Sequence, residues 1–262
     1  MTLTLTICGP IARLAIQRPD KRNAFNQAMW DALPALVEQA VADPAVRLII
    51  LQSGCDGVFC AGADIGELLA NKDDAAWRAA NQAAINRAQH VLARAAKPVI
   101  AFIDGDCVGG GCGLALACDI RIATPRARFG ITPAKLGLVY PLHDTKLLVD
   151  LVGPGQAKRM LFTGALLDAD EALRIGLVDV IADGPNDMAD AIAAASPHSC
   201  REIKGFVRRI LDGQVDDDAA TLRLFADAFT GADFVEGTTA FVEKRPPNFM
   251  DSSPPRRRGS VS

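Results

Sequence analysis

Val108-Gly109-Gly110-Gly111-Cys112-Gly113-Leu114 follows an apolar strand-like run, Val99-Ile100-Ala101-Phe102-Ile103, and leads into a helical pattern. Glycine lets a backbone approach a ligand closely, and the first N–H groups of a helix carry the positive end of its dipole. A turn of this kind therefore suits a developing negative oxygen. Upstream, Phe59-Cys60-Ala61-Gly62-Ala63-Asp64-Ile65 repeats the arrangement after Leu48-Ile49-Ile50-Leu51. One such segment alone reads as a tight turn. Two in one chain, each between a strand and a helix, predict an α/β fold in which paired backbone N–H groups make an oxyanion hole.

Further out, Thr2 to Ile7 alternates with period two and Ile11 to Gln17 repeats the apolar tendency after Gly9-Pro10, which predicts an opening β-hairpin. An amphipathic helix is expected next, capped by Asn26, with Leu33, Leu36, Val37 and Val41 as its stripe and Pro34 near its first turns or bending it. Strands near Leu48, Val99 and Ile120 then alternate with helices over Ile65 to Leu69, Ala75 to Arg94 and Gly111 to Ala117, a pattern of β-β-α turns. After Pro185 only helical periodicity remains. The expected organisation is a core over 1–185, a C-terminal helical module over 186–250 and a flexible tail over 251–262, whose Pro-Pro-Arg-Arg-Arg run is too poor in apolar residues to pack.

Half of the 262 residues are apolar, ample for a substantial core. A formal charge of -3 argues against nucleic acid as a partner. The seven cysteines lie mostly inside apolar runs and make no metal spacing with the three histidines, so they read as reduced core residues of a cytoplasmic protein, with no metal. No apolar stretch reaches the ~20 residues of a membrane helix, and no signal-like start is present.

The ordered segments Gln17 to Ala24, Phe59 to Ile65, Ile103 to Ile122, Phe129-Gly130, Leu136-Gly137-Leu138, Phe162-Thr163-Gly164, Gly176-Leu177-Val178 and Phe241 to Arg245 resemble the crotonase, or enoyl-CoA hydratase/isomerase, superfamily. The resemblance implies a spiral core of β-β-α units with C-terminal helices packed around a homotrimer or hexamer. The substrate would be an acyl-CoA, with coenzyme A entering as part of the thioester and no permanently bound cofactor. It further implies that the N–H groups of Ala63 and Gly110 form the oxyanion hole, and that coenzyme A is met by Arg22, Ala24, Ala61, Phe225 and Lys244. Lys244 reads equally as a surface lysine, and Asp64 as the cap of the next helix.

Where hydratases of this superfamily carry two glutamates, this chain has Gly113 and Pro133, neither of which can transfer a proton. The segment from Phe129 through Thr132 to Tyr140 resembles methylmalonyl-CoA decarboxylase-like members, in which a threonine and a tyrosine occupy these two places. Decarboxylation of a malonyl or methylmalonyl thioester yields an enolate without a base, so it fits the missing glutamates, with Thr132 and Tyr140 orienting the carboxylate. His143 and Asp144 are candidate proton donors. Their alternative roles are surface histidine and helix cap, and the alternative functions are an isomerase or hydratase with an atypical acid-base group, or a non-catalytic acyl-CoA-binding protein.

Overall fold

The computed structural model of the chain describes residues 2–249. The opening hairpin pairs β1 (Leu3–Cys8) antiparallel with β2 (Ile11–Ile16). β2 then pairs in parallel with β3 (Leu48–Ser53), and β5 (Val99–Ile103), β7 (Ile120–Ala123) and β10 (Val180–Ile181) extend the sheet in the order β1-β2-β3-β5-β7-β10. A second sheet has the order β4-β6-β8-β9, from β4 (Val58–Cys60), β6 (Asp106–Val108), β8 (Arg128–Gly130) and β9 (Leu167–Asp168). Its first three strands are parallel.

The apolar runs that gave no alternation are the strands covered on both faces. Ile49 and Leu51 of β3 enter the main core with Val99, Ala101 and Ile103 of β5, while Leu48 and Ile50 face a second cluster with Ile100, Ile122 and Ala189. Each such fully buried aliphatic side chain stabilises the fold by about 1.5–3 kcal/mol, which is why a parallel sheet sandwiched by helices reads as continuous Val, Ile and Leu.

Asn26 caps α1 (Gln27–Ala42) as expected, its side chain accepting from the Met29 N–H. Pro34 lies two turns into α1, buried, and the helix continues past it. α2 (Ile65–Ala70), α3 (Ala75–Ala93) and α4 (Gly110–Leu116) follow the predicted spans closely. α5 (Leu142–Thr163) is broken at Gly153 (φ 72°, ψ 165°), next to Pro154. α6 (Ala169–Arg174) precedes β10, and from there to residue 249 the chain forms α7 (Asn186–Ala194), α8 (Pro197–Leu211), α9 (Ala219–Ala228) and α10 (Ala232–Glu243). Phe225, Phe229, Phe234 and Phe241 in and beside the last two helices are exposed. The expected tail, residues 251–262, lies outside the described residues.

Candidate functional site

β4, β6 and β8 run parallel and deliver their C-terminal ends to one edge of the second sheet. There the two glycine turns meet. Gly62 has φ +100°, and a Cβ on it would lie 3.0 Å from the Val108 carbonyl oxygen and 3.2 Å from the Gly110 nitrogen, so the two backbones touch where only glycine fits. Gly109 (φ +55°) stands at the cap of α4, and its N–H donates to the Gly130 carbonyl at 2.8 Å, fastening the turn to the end of β8. A Cβ on Gly111 would lie 2.3 Å from the Cys60 carbonyl oxygen, which packs the first turn of α4 against β4.

This close packing brings the Ala63 and Gly110 nitrogens together: a Cβ on Gly110 would be 3.5 Å from the Ala63 nitrogen. Neither N–H donates to an acceptor among the described residues. The Ala63 turn is held from the other side by the Phe25 N–H on the Gly62 carbonyl and the Asp64 N–H on the Phe25 carbonyl, both at 2.8 Å. Beneath, the Phe25 and Trp30 rings pack at a tilt of 46° with centroids 4.5 Å apart, and Trp30 reaches within 3.4 Å of the Gly110 Cβ position. Asp64 caps α2 by accepting from the Gly66 and Glu67 N–H groups and pairs with Arg18 at 2.8 Å. The Arg18 guanidinium holds its carboxyl below the usual range.

One turn further along α4, side chains gather around Gly113. A Cβ on Gly113 would lie 2.4 Å from Gln89 Nε2, 3.3 Å from the Tyr140 hydroxyl and 3.5 Å from Asp144 Oδ1, so α3, α4 and the start of α5 converge on the bare backbone of Gly113. Pro141, not Asp144, occupies the cap of α5, and Asp144 is only 2% exposed. The capping role is thereby corrected: Asp144 is the third residue of α5, within its first turn, and is buried rather than capping the helix. Its Oδ1 is sealed from solvent without a hydrogen bond, as are both amide atoms of Gln89. A sealed polar atom left unpaired costs roughly 1–3 kcal/mol, and the Gln89 amide and Asp144 are the polar groups brought closest to one another around Gly113. Burial pushes the Asp144 carboxyl up to about 7, opposed in part by the facing Gln89 amide.

The Tyr140 hydroxyl donates to the Gly109 carbonyl at 3.2 Å, and burial, reinforced by Asp144, raises its pKa well above the ordinary phenol value. His143 is half-buried, with Nε2 sealed and unpaired; burial and the positive neighbours His90, Arg208, Arg94 and Lys146 lower its pKa. Thr132 precedes the short 3-10 turn Pro133–Leu136 and is half-buried, and its hydroxyl makes no hydrogen bond to Tyr140 or Asp144.

Of the residues assigned to coenzyme A, three come together. The Ala61 N–H donates to the Arg22 carbonyl at 3.0 Å, and buried Asn23 spans the same two segments through its Nδ2, which donates to the Val58 and Phe59 carbonyls. Ala24 is buried between them, its carbonyl held by Arg18 at 2.9 Å. Arg22 (φ +51°) is exposed and pairs with buried Asp106, which Arg128 also engages. Phe225 and Lys244 stand elsewhere: Phe225 packs edge-on against Phe229 at 5.4 Å, and exposed Lys244 ends α10, neither forming a hydrogen bond, ion pair or ring contact with the Arg22 and Ala61 segments.

The thiols of Cys60, Cys107, Cys112 and Cys118 are buried beside or beneath these turns, and burial pushes Cys60 and Cys118 up to about 12. Cys112 Sγ donates to the Cys107 carbonyl at 2.9 Å, and the Gly62 N–H donates to Cys60 Sγ at 3.4 Å. No cluster of three or more His, Cys, Asp or Glu side chains that could hold a metal occurs among the described residues, and no helix there is long and apolar enough to cross a membrane.

Sequence reasoning passed over Gln89. The signal was a glutamine inside the buried stripe Asn81, Ala84, Ala88, Leu92 of α3, where a polar side chain is the informative exception.

The enoyl-CoA hydratase/isomerase family profile matches residues 6–252. The crotonyl-CoA hydratase of Syntrophomonas wolfei is 36% identical over 249 residues, covering 92% of this chain and 94% of the relative, and the short-chain-enoyl-CoA hydratase of Clostridium acetobutylicum is 33% identical over 90% and 93%. The crystal structure of an enoyl-CoA hydratase/isomerase family protein from Hyphomonas neptunium superposes with a TM-score of 0.91 at 41% identity, covering 95% of this chain and 97% of that one. An enoyl-CoA hydratase/carnithine racemase from Magnetospirillum magneticum also gives 0.91, at 32% identity and 96% of each chain.

Proposed function

This chain belongs to the enoyl-CoA hydratase/isomerase family, and from that premise we propose that it moves a proton on an acyl-CoA thioester with a single carboxyl group. The thioester oxygen is received by the N–H groups of Ala63 and Gly110, adjacent in space and without protein acceptors. One such donor contributes roughly 3–4 kcal/mol to an enolate-like transition state. The Asp144 carboxylate removes a proton from the α-carbon, the electron pair passes to the thioester oxygen, and the resulting acid returns that proton to the γ-carbon, so the double bond migrates with nothing gained or lost. The observation that carries this reading is Asp144 itself, buried 3.5 Å from the Cβ position of Gly113 and held near pH 7, where both of its forms are populated.

The curated relatives named above are hydratases. Hydration needs one group to activate water and one to protonate carbon, and where the resemblance puts the two glutamates of a hydratase this chain has Gly113 and Pro133. An isomerase needs one group only, which is why the geometry favours it.

Decarboxylation of a malonyl-type thioester stands as the second reading. A neutral Asp144 could protonate the enolate left by loss of carbon dioxide, and Tyr140 lies beside it. The Tyr140 hydroxyl is, however, already given to the Gly109 carbonyl, which leaves it poorly placed to orient a substrate carboxylate. Arg22, Ala24 and Ala61 are assigned to coenzyme A on the strength of their stitched segments; Phe225 and Lys244 would have to reach it by closure of the C-terminal helices or from a second subunit. The exposed phenylalanines of those helices support a homotrimer or hexamer.

The test is a panel of 3-enoyl, 2-enoyl and malonyl-type CoA thioesters followed by chromatography and mass spectrometry. Conversion of 3-enoyl to 2-enoyl at constant mass is expected. Loss of carbon dioxide selects the second reading, gain of water a hydratase with an atypical acid-base group, and binding without turnover a non-catalytic member.

A further inference from the structure

Gln89 is 0% exposed, and neither of its amide atoms completes a hydrogen bond. Packing holds it there: Nε2 occupies the space that any side chain at 113 would need, 2.4 Å from the Cβ position. The glycine on α4 and the glutamine on α3 are thus two halves of one arrangement. Across the same point stands Asp144 Oδ1, also sealed and unpaired. An amide N–H facing a carboxyl oxygen is a donor facing an acceptor.

The titratable groups around this pair separate into two sets. Tyr140, Cys112 on α4 and Cys107 on β6 lie on the inner side and interact with one another. On the outer side, His90 and Arg94 at the end of α3, Lys146 on α5 and Arg208 on α8 act on His143. Asp144 answers to burial and to Gln89.

We propose that Gln89 is a positioning residue for Asp144: in the working enzyme its amide donates to Oδ1, leaving the exchangeable proton on Oδ2, and Gly113 gives the amide its place. This rests on the reading of Asp144 as the proton-exchanging group. The carboxylate that hydratases of the superfamily carry at the position of Gly113 would, in this chain, have been replaced by one from α5 steadied by an amide from α3.

Gln89→Met keeps the shape and removes the hydrogen bond. In the full-length protein, with carboxyl titration followed by 13C NMR of labelled aspartate assigned through Asp144→Asn, the Asp144 titration should move up by about one pH unit, because a hydrogen bond favouring the charged form has gone. The turnover number should fall about tenfold with KM within twofold, and the pH–rate profile should shift with the carboxyl. Gln89→Glu should split the titration into two coupled steps. An unmoved Asp144 titration in folded Gln89→Met overturns the proposal even if isomerase activity stands. A moved titration with an unmoved pH–rate profile overturns the role of Asp144 in the reaction and leaves the contact intact. Should Gln89→Met fail to fold, Gly113→Ala displaces the same amide and must give the same upward shift.

Discussion

The two walls of the site are built from different materials. On one side, Ala63 and Gly110 offer main-chain N–H groups fixed by two turns packed against each other, by the Phe25 bridge and by the rings beneath. On the other, Asp144, Tyr140 and Gln89 reach in from the start of α5, the loop before it and α3 towards Gly113, and three of their polar atoms have no protein partner. The first wall is fastened by main-chain hydrogen bonds, with the buried Trp30 Nε1 beneath it left unpaired. The second is a buried polar cluster of side chains, the kind of arrangement that shifts a carboxyl towards neutral pH.

Breaking the side-chain wall should have the largest effect. Asp144→Asn is expected to lower double-bond migration by about a hundred- to ten-thousandfold, the usual worth of a positioned acid-base group, while acyl-CoA binding measured by calorimetry stays within a few-fold. The same carboxyl should reveal itself without substrate. Its value near 7 in the folded protein exceeds the ordinary 3.8, so the folded state keeps a proton that the unfolded chain releases. The resulting stability, on the order of 4 kcal/mol, is complete below about pH 4 and disappears as pH rises through 7. Urea midpoints of the native protein should therefore fall between pH 5 and 8 more steeply than those of Asp144→Asn, and parallel slopes would return Asp144 to an ordinary buried residue.

The main-chain wall is tested by Gly110→Pro. Proline suits the first position of a helix, so α4 should survive, but the N–H is gone, and turnover should drop about a hundred- to thousandfold. Retained activity in a folded variant would remove the backbone pair from the mechanism. Tyr140→Phe sharpens the contrast at the small end. If the hydroxyl only ties the loop to the Gly109 carbonyl, the cost is about 1 kcal/mol in a thermal melt and less than tenfold in rate. A loss of tenfold to a thousandfold confined to malonyl-type substrates would instead favour decarboxylation.

The same division governs what could be read from the chain. Glycine turns, strand runs and the Asn26 cap are local signals, and the hairpin, the β-β-α order and the helical character after Pro185 stood close to where periodicity put them. The two glycine turns were legible as strand-to-helix turns, while the choice of Ala63 and Gly110 within them came from the family resemblance. The facing wall was legible only in part. Asp144 read equally as a proton donor and as a cap, because carboxylates near a helix start usually are caps, and its burial depends on α3 and α4 closing over it. Gln89 lies 24 residues before Gly113 in the chain, and nothing local says that one fills the space left by the other.

The buried thiols give the site a built-in clock. Cys112 lies on α4 itself and Cys60 ends β4, so a maleimide or disulfide reagent can reach either sulfur only when the turn carrying it swings away. Cys8, exposed on the opening hairpin, reacts without any opening and serves as the internal reference. The ratio of the two labelling rates reads the free energy of local opening at the Ala63–Gly110 turns, and its slowing by added acyl-CoA would measure how far ligand binding tightens them.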